Sequence, residues 1–380
     1  MLALEIAGPV FGTTGYDRHT REFTRALEGM GVPLQLTPAI GWSPAQAAFR
    51  QDAQLAALQQ PRATNLTLHF MMPTLCKPRP GRPNVNYTMF EGDRIPPSWA
   101  ARAADHALIL VPNETCRTAW IGGGVAAEKL RIAPLAVDGA FFAQRAEPLP
   151  LLVTLSHRPV PRPLSTYSRR FLNISELRPR KNLLGLIRAW IRATEPGDDA
   201  VLVLKSTSFV SQDRPAFERD LRAMQQQLGR TLEQAAPVVT LTKALDDSGM
   251  RALYAASTHY ISLSFGEGWD LAMMEAACAG LQLIAPRHSG YLSYLGDGDA
   301  LWIPAWAEPA SFDGECGRVD APLFAGIQWW RPDEDAAVEM LRMAIRGKTA
   351  KESPQMRVIR DFTWGNAARK LMEAIEPLAP

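Results

Sequence analysis

The sequence predicts an α/β protein of two domains, each built from βαβ units on a mostly parallel sheet. Three observations lead there. The chain has 380 residues, more than one ordinary hydrophobic core organises. Apolar runs of strand length alternate with longer amphipathic stretches from end to end. The run Ala107–Val111, ALILV, is apolar on both alternations, as a strand covered by helices on both faces must be.

In the first half, strands are expected at Leu2–Ala7, Leu34–Thr37, Leu66–Met71, Val85–Phe90 and Ala107–Val111. Helices fit Asp17–Met30, closed by Gly31, and Glu114–Ile121, closed by three glycines. From Pro148 to Arg170 prolines interrupt every period, and a linker with room for one extra strand is expected. The rhythm restarts with strand Phe171–Ile174, helix Leu183–Ala193, strand Val201–Lys205 and the polar helix Arg214–Leu228. Strand Val238–Leu241, helix Asp246–Ala256, strand Tyr260–Leu263, helix Leu271–Ala279 and strand Leu283–Ala285 follow. A Trp- and Pro-rich insertion fills Pro304–Pro332, and helices at Glu334–Ile345 and Asn366–Ile375 finish the pattern.

Composition excludes several classes. Net charge is only +2, so the molecule as a whole is not marked as a nucleic-acid binder. No run approaches the roughly 20 apolar residues needed to span a bilayer, and the N-terminus lacks the basic region of a signal peptide. Cys76, Cys116, Cys278 and Cys316 have no metal-ligand spacing and read as reduced thiols of a cytosolic protein.

The chemistry concentrates in four segments. In Ser262–Gly280, SLSFGEGWDLAMMEAACAG, a strand ends, a glycine-containing loop follows, and a helix begins near Asp270 or Leu271. Free N–H groups at a helix start suit a diphosphate or a sugar oxygen. Glu267 lies in the loop and Glu275 inside the helix, so the two can face one crevice at different depths; Glu267 would accept from a sugar hydroxyl and Glu275 from a ribose diol. The helix carries little polar face, so a glutamate on it needs a partner. In SELRPRKNLLGLIRAW, Arg178, Arg180 and Lys181 precede a helix, where the dipole disfavours cations. Their placement there points to an anion, and cations aimed at a departing diphosphate are the main tool for breaking a glycosyl–phosphate bond.

The third segment, GPVFGTTGYDRHTREF, is a strand, a glycine loop and a helix; Gly12 and Gly15 permit close backbone approach, and Thr14 or Asp17 can cap the helix. Its glycine spacing is not the dinucleotide fingerprint. The fourth, NYTMFEGDRIPPSW, places Glu91, Asp93 and Arg94 at the carboxyl edge of a strand, where open α/β sheets bind ligands. Glu91 either contacts an acceptor hydroxyl or pairs with Arg94 to shape the loop.

Taken together, Glu267 and Glu275 match an E-x7-E signature, and the chain resembles retaining GT-B glycosyltransferases of family 4 over nearly its whole length. LYAASTHYISLSFGEGW, HSGYLSYLGDGDALWIP and DFTWGNAARKL are similar to that family's approach to the donor loop, its following loop and strand, and its terminal helix. The resemblance implies two Rossmann-like domains facing a central cleft: 1–165 for the acceptor, 166–360 for the nucleotide sugar, and 361–380 as a helix crossing back. It implies sugar transfer from a nucleotide-sugar donor to an acceptor hydroxyl with retention, without a metal or other cofactor. Lys181 matches the family's phosphate-binding lysine. The family's arginine five or six residues earlier is replaced by Glu176 or Ser175, which leaves Arg178 as the candidate in its place. Asp270 stands where the family usually has a small residue. Catalytic roles thus fall on Lys181, Glu267 and Glu91, and donor binding on Gly15, Arg178, Lys181, Gly268, Trp269, Asp270, Leu271 and Glu275. Expected partners are a nucleotide sugar and a glycan, lipid-linked or small-molecule acceptor, with peripheral contact at the inner face of a membrane and no nucleic acid. A sugar-nucleotide epimerase or a silent sugar-nucleotide- or glycan-binding subunit would share many of these residues.

Other polar residues read as structural. His69, among apolar neighbours, fits a core residue. Asp297 and Asp299 form a D-x-D triplet in GDGD, a turn composition rather than a metal site. Lys77, Arg79 and Arg82 form a basic loop, either solvated or facing an anionic acceptor or headgroups.

Overall fold

The computed structural model of the chain describes residues 2–44, 46–155, 158–207, 213–312 and 314–379. Contacts divide it into two units, 1–138 with 361–380, and 139–360.

In the first unit the order along the chain is β1 (Leu4–Gly8), α1 (Gly15–Gly29), β2 (Leu34–Pro38), α2 (Ala47–Arg50), α3 (Ala53–Leu58), β3 (Leu66–Phe70), β4 (Asn84–Tyr87), α4 (Pro97–Ala100), β5 (Leu108–Val111), α5 (Glu114–Gly122) and β6 (Leu130–Ile132). All six strands run parallel in the order β2-β1-β3-β4-β5-β6. Strands β1, β3, β4 and β5 are buried along their whole length. That explains the continuous apolar run of β5, while β1, β3 and β4 also bury the polar residues Glu5, Thr67, His69, Asn84 and Asn86. Strand β4 stops at Tyr87, not at Phe90: its partner β5 is only four residues long, and the register Val85↔Leu108 leaves the later residues little to pair with.

The second unit contains α6 (Gly139–Phe142), β7 (Leu152–Leu155), β8 (Arg158–Pro163), β9 (Arg169–Ile174), α7 (Leu183–Ala193), β10 (Ala200–Lys205), α8 (Arg214–Leu228), β11 (Val238–Leu241), α9 (Asp247–Ala255), β12 (His259–Ile261), α10 (Leu271–Cys278), β13 (Gln282–Pro286), β14 (Leu301–Ile303), β15 (Ala305–Pro309), β16 (Gln328–Pro332) and α11 (Glu334–Ile345). Its six-stranded parallel sheet has the order β11-β10-β9-β12-β13-β14. Helix α7 buries Leu183, Leu186, Ile187, Trp190 and Ile191 against β9 and β10, and Trp190 meets Phe171 edge-on at 5.2 Å. Helix α12 (Gln355–Asp361) leads to α13 (Trp364–Ile375), which packs on α1 in the first unit, with Trp364 edge-on to Phe23 at 5.3 Å.

Residues 139–165, expected in the first domain, belong to the second unit. Their prolines suppress any period, yet their contacts are specific: Phe142 meets Tyr254 edge-on at 5.7 Å, and Leu149 donates its N–H to the Ala252 carbonyl at 2.8 Å. Strands β7 and β8 pair antiparallel in the stretch read as a linker. The insertion 304–332 contains a second antiparallel ribbon, β15–β16.

Candidate functional site

In the second sheet the chain passes outward from β9 through β10 to β11, then returns to lay β12 on the other side of β9. Loops after two such adjacent strands diverge to opposite faces and leave a crevice at their carboxyl ends. The Arg178–Lys181 segment follows β9, and the Ser262–Asp270 segment follows β12. Local chemistry stitches the two together. Asn182 takes a left-handed conformation (φ 48) and donates its side-chain amide to the Leu263 carbonyl at 2.9 Å. Phe265 donates its N–H to the Arg180 carbonyl at 2.8 Å.

The result is a cation pair on a buried carboxylate. Lys181 Nζ lies 2.8 and 2.9 Å from Glu267 Oε1 and Oε2, and Arg180 Nη1 lies 3.0 Å from Oε2. Glu267 is 4% exposed. Burial opposes its ionisation, but Lys181 and Arg180 outweigh burial and bring its carboxyl down to about 2. Arg180 also donates to the Gly266 carbonyl. Behind the loop, Glu267 N–H donates to Ser289 Oγ at 3.1 Å, and the Glu267 carbonyl accepts from Gly290 N–H at 2.9 Å. His288 spans Ser289 Oγ (2.7 Å) and the Ser264 carbonyl (2.8 Å).

Trp269 and Gly268 are buried, and Leu271 is half-buried at the first turn of α10. Asp270, just before it, has φ 67 and caps the helix: its carboxylate accepts the Met273 N–H at 3.2 Å. Tyr291 OH donates to the same carboxylate at 3.2 Å, and Tyr294 OH to the Asp270 carbonyl at 3.2 Å. The Met273 N–H, read as part of an open anion site, is therefore already satisfied by the chain's own acid. Burial, and then Glu267, push the Asp270 carboxyl up to about 6. Glu275 is 3% exposed, and its Oε2 accepts from Tyr254 OH at 2.7 Å.

Arg180, assigned no separate role from the sequence, is the arginine found on Glu267. Arg178 lies 3.6 Å from Asp320 and 3.9 Å from Glu176, while Arg180, in the same short helical turn as Lys181, supplies the guanidinium to Glu267. Adjacency to Lys181 was the available signal. Asp320 belongs to the 304–332 insertion, which touches both halves of the site. Gly317 sits against Pro179, where an added Cβ would lie 2.5 Å from Cδ. Trp330 donates its N–H to the Phe265 carbonyl at 2.8 Å, Trp329 stacks on Phe265 at 4.7 Å, and Trp330 stacks on His288 at 5.6 Å. Nothing in the sequence assigned Tyr254, Tyr291, Ser289 or the tryptophans to this site.

In the first unit, Gly15 opens α1 behind the cap residue Thr14, which forms a reciprocal capping box with Asp17. Asp17 is buried and also accepts from Gly12 N–H (2.8 Å) and Ser43 Oγ (2.7 Å), so the glycine loop is held from within. Glu91 is half-buried; burial, with a smaller contribution from the Glu91 charge, raises the Tyr16 phenol above its ordinary value. Arg94 pairs with Asp93 at 3.0 Å. His69 is buried, with Nε2 3.2 Å from Asn84 Oδ1. In the basic loop, Arg79 and Arg82 close on the buried Glu5 at 2.8 and 2.9 Å. Arg287 holds Asp297, while Arg357 holds Asp299, so the D-x-D acids point to separate partners. Among the described residues no cluster of three His, Cys, Asp or Glu could hold a metal, and no helix is long and apolar enough to cross a membrane.

No protein-family model and no curated protein sequence matches the chain. Solved structures do. Sucrose-phosphate synthase from Thermosynechococcus elongatus superposes with a TM-score of 0.63 at 13% identity, covering 100% of this chain and 99% of that one. The lipopolysaccharide outer core galactosyltransferase WaaB gives 0.60 at 13% identity over 100% of both chains. HepE of Anabaena, in complex with UDP and glucose, gives 0.57 at 12% identity over 99% of this chain and 100% of that one. At such identities the likeness shows the fold: the chain has the GT-B fold of two Rossmann-like domains.

Proposed function

We propose that this protein is a glycosyltransferase, a hexosyltransferase, that moves a sugar from a nucleoside-diphosphate sugar to an acceptor hydroxyl with retention of anomeric configuration. One observation carries the reading: Lys181 and Arg180 converge on Glu267 beside the start of α10, at the crossover of a Rossmann-like sheet. Such a crevice suits a nucleotide, and two cations suit its diphosphate.

In the reaction the bond from the anomeric carbon to the diphosphate oxygen breaks, and a bond to the acceptor oxygen forms on the same face. The nucleoside diphosphate leaves with the bonding electron pair, and its departing oxygen, on the same face, takes the proton of the acceptor hydroxyl. No protein nucleophile is needed. Lys181 and Arg180 neutralise the charge that grows on the leaving group, which makes a metal ion unnecessary. As the diphosphate draws Lys181 away, Glu267 is freed to accept from a sugar hydroxyl. Glu275 accepts from the ribose; Gly268, Trp269 and Leu271 wall the sugar. Gly15 serves the donor and Glu91 the acceptor hydroxyl. Arg178 acts behind the site by bracing the Pro179 turn through Asp320. The acceptor is a glycan, a lipid-linked glycan or a small molecule, handled in the cytoplasm or at the inner membrane face in polysaccharide assembly.

The test is a thermal-shift screen of UDP, GDP and ADP with their hexose donors, followed by product analysis with added acceptors. Binding of one nucleotide series and acceptor-dependent product are expected. Lys181→Ala should lower kcat about 10²–10³-fold with an unchanged circular dichroism spectrum. Near-normal turnover of that variant removes Lys181 from the mechanism. Turnover without acceptor replaces transfer by hydrolysis or epimerisation.

A further inference from the structure

Asp270 occupies a backbone conformation, φ 67, that costs most side chains roughly 1 kcal/mol or more and glycine nothing. A strained residue held at a ligand site is a pointer to function. Its carboxylate is fixed from two sides, by the Met273 N–H and by Tyr291 OH, each at 3.2 Å. Tyr291 is itself braced at 2.7 Å by Ser262. Asp270 is half-buried where the Glu267 loop enters α10. Lys181 and Arg180 pair with Glu267; the Lys181 charge also reaches Asp270, where burial and Glu267 outweigh it. Two acids, Glu267 and Asp270, therefore stand three residues apart at the start of α10, with both ion pairs made by the first.

We propose that Asp270 is a specificity residue that restricts the donor to neutral or amino sugars and excludes uronates and other acidic sugars. The inference rests on the donor-site reading above. A sugar seated beside Glu267 meets a second acceptor-only carboxylate that welcomes a hydroxyl or an ammonium group. A sugar carboxylate placed there faces like charge, which is an efficient means of rejecting a wrong partner.

Asp270→Asn isolates the charge, because asparagine tolerates the left-handed conformation and caps helices as well as aspartate does. The experiment is calorimetric titration of the full chain and of this variant. UDP, GDP and ADP are titrated first. The base that binds is then offered as a neutral and an acidic donor: UDP-glucose against UDP-glucuronate, GDP-mannose against GDP-mannuronate, or ADP-glucose against ADP-glucuronate. The native chain should prefer the neutral donor at least about tenfold. Asp270→Asn should bring the two within about threefold, read as the ratio of the two affinities so that any loss common to both donors cancels. Equal binding of both donors by the native chain, or undiminished preference in the variant, overturns the proposal while the donor-site reading stands. Failure of every nucleotide to bind removes that reading, and the proposal with it.

Discussion

Glu267 and Glu275 share a short stretch of chain and nearly the same burial, yet their surroundings differ in kind. Glu267 faces two cations; Glu275 faces a tyrosine hydroxyl. The difference predicts different losses. Removing the Tyr254 hydroxyl takes a hydrogen bond from a buried carboxylate, a change worth about 1.5–3 kcal/mol. Tyr254→Phe should lower unfolding stability in urea by that amount and, with Glu275 as the ribose acceptor, weaken nucleotide binding several-fold. Unchanged stability together with unchanged affinity would show that Tyr254 does not hold Glu275 in place. The positions of both glutamates were legible in sequence, because a strand-loop-helix with acids at those points has few folded interpretations. The choice between Arg178 and Arg180 was not. Both flank Pro179, and only the direction of one short turn decides which guanidinium meets Glu267.

At the level of elements, the donor loop depends on a neighbour with no side chain. A Cβ on Gly290 would lie 2.7 Å from the Glu267 carbonyl oxygen and 2.8 Å from the Trp269 nitrogen, both backbone atoms that cannot swing aside. Gly290→Ala should therefore displace the loop, cost about 1–3 kcal/mol as an overpacked position, and weaken donor binding more than a distant mutation of equal cost. Parallel measurement of melting temperature and nucleotide affinity checks this. Unaltered values for both would mean that the loop yields freely. Helix α7 and strand β10 were readable to within a residue, since their periods are strong and uninterrupted. Strand β6 was missed because it has three residues, two of them exposed. The β15–β16 ribbon was missed as a ribbon because prolines and tryptophans mask its alternation.

Across the whole molecule, burial of imidazole sets the response to acid. His19, His69, His106, His259 and His288 are all buried, and burial is the largest cause lowering each of them. His19 falls to about 3, and His106, His259 and His288 to about 4. Below the ordinary value of 6.5 the unfolded chain takes up protons that the folded chain refuses, so stability is lost as pH falls from there towards the folded values. At pH 5 each such ring costs about 2 kcal/mol, or roughly 8 kcal/mol for four, comparable to the whole stability of an ordinary domain. Asp270, raised to about 6, works in the opposite direction over the same range, but it is one group against several. The melting temperature should drop steeply between pH 7 and pH 5; a flat profile there would contradict the buried, neutral state of these rings.

The aromatic insertion has a bearing on how the protein is made. Pro179 waits for Gly317, Arg178 for Asp320, and Phe265 for Trp329 and Trp330. A nascent chain that has passed Lys181 and Glu267 thus holds both reactive segments without the wedge that fixes them. Competence to bind nucleotide should arise on the ribosome only once the stretch through Pro332 has emerged, as a late and abrupt event rather than a gradual one.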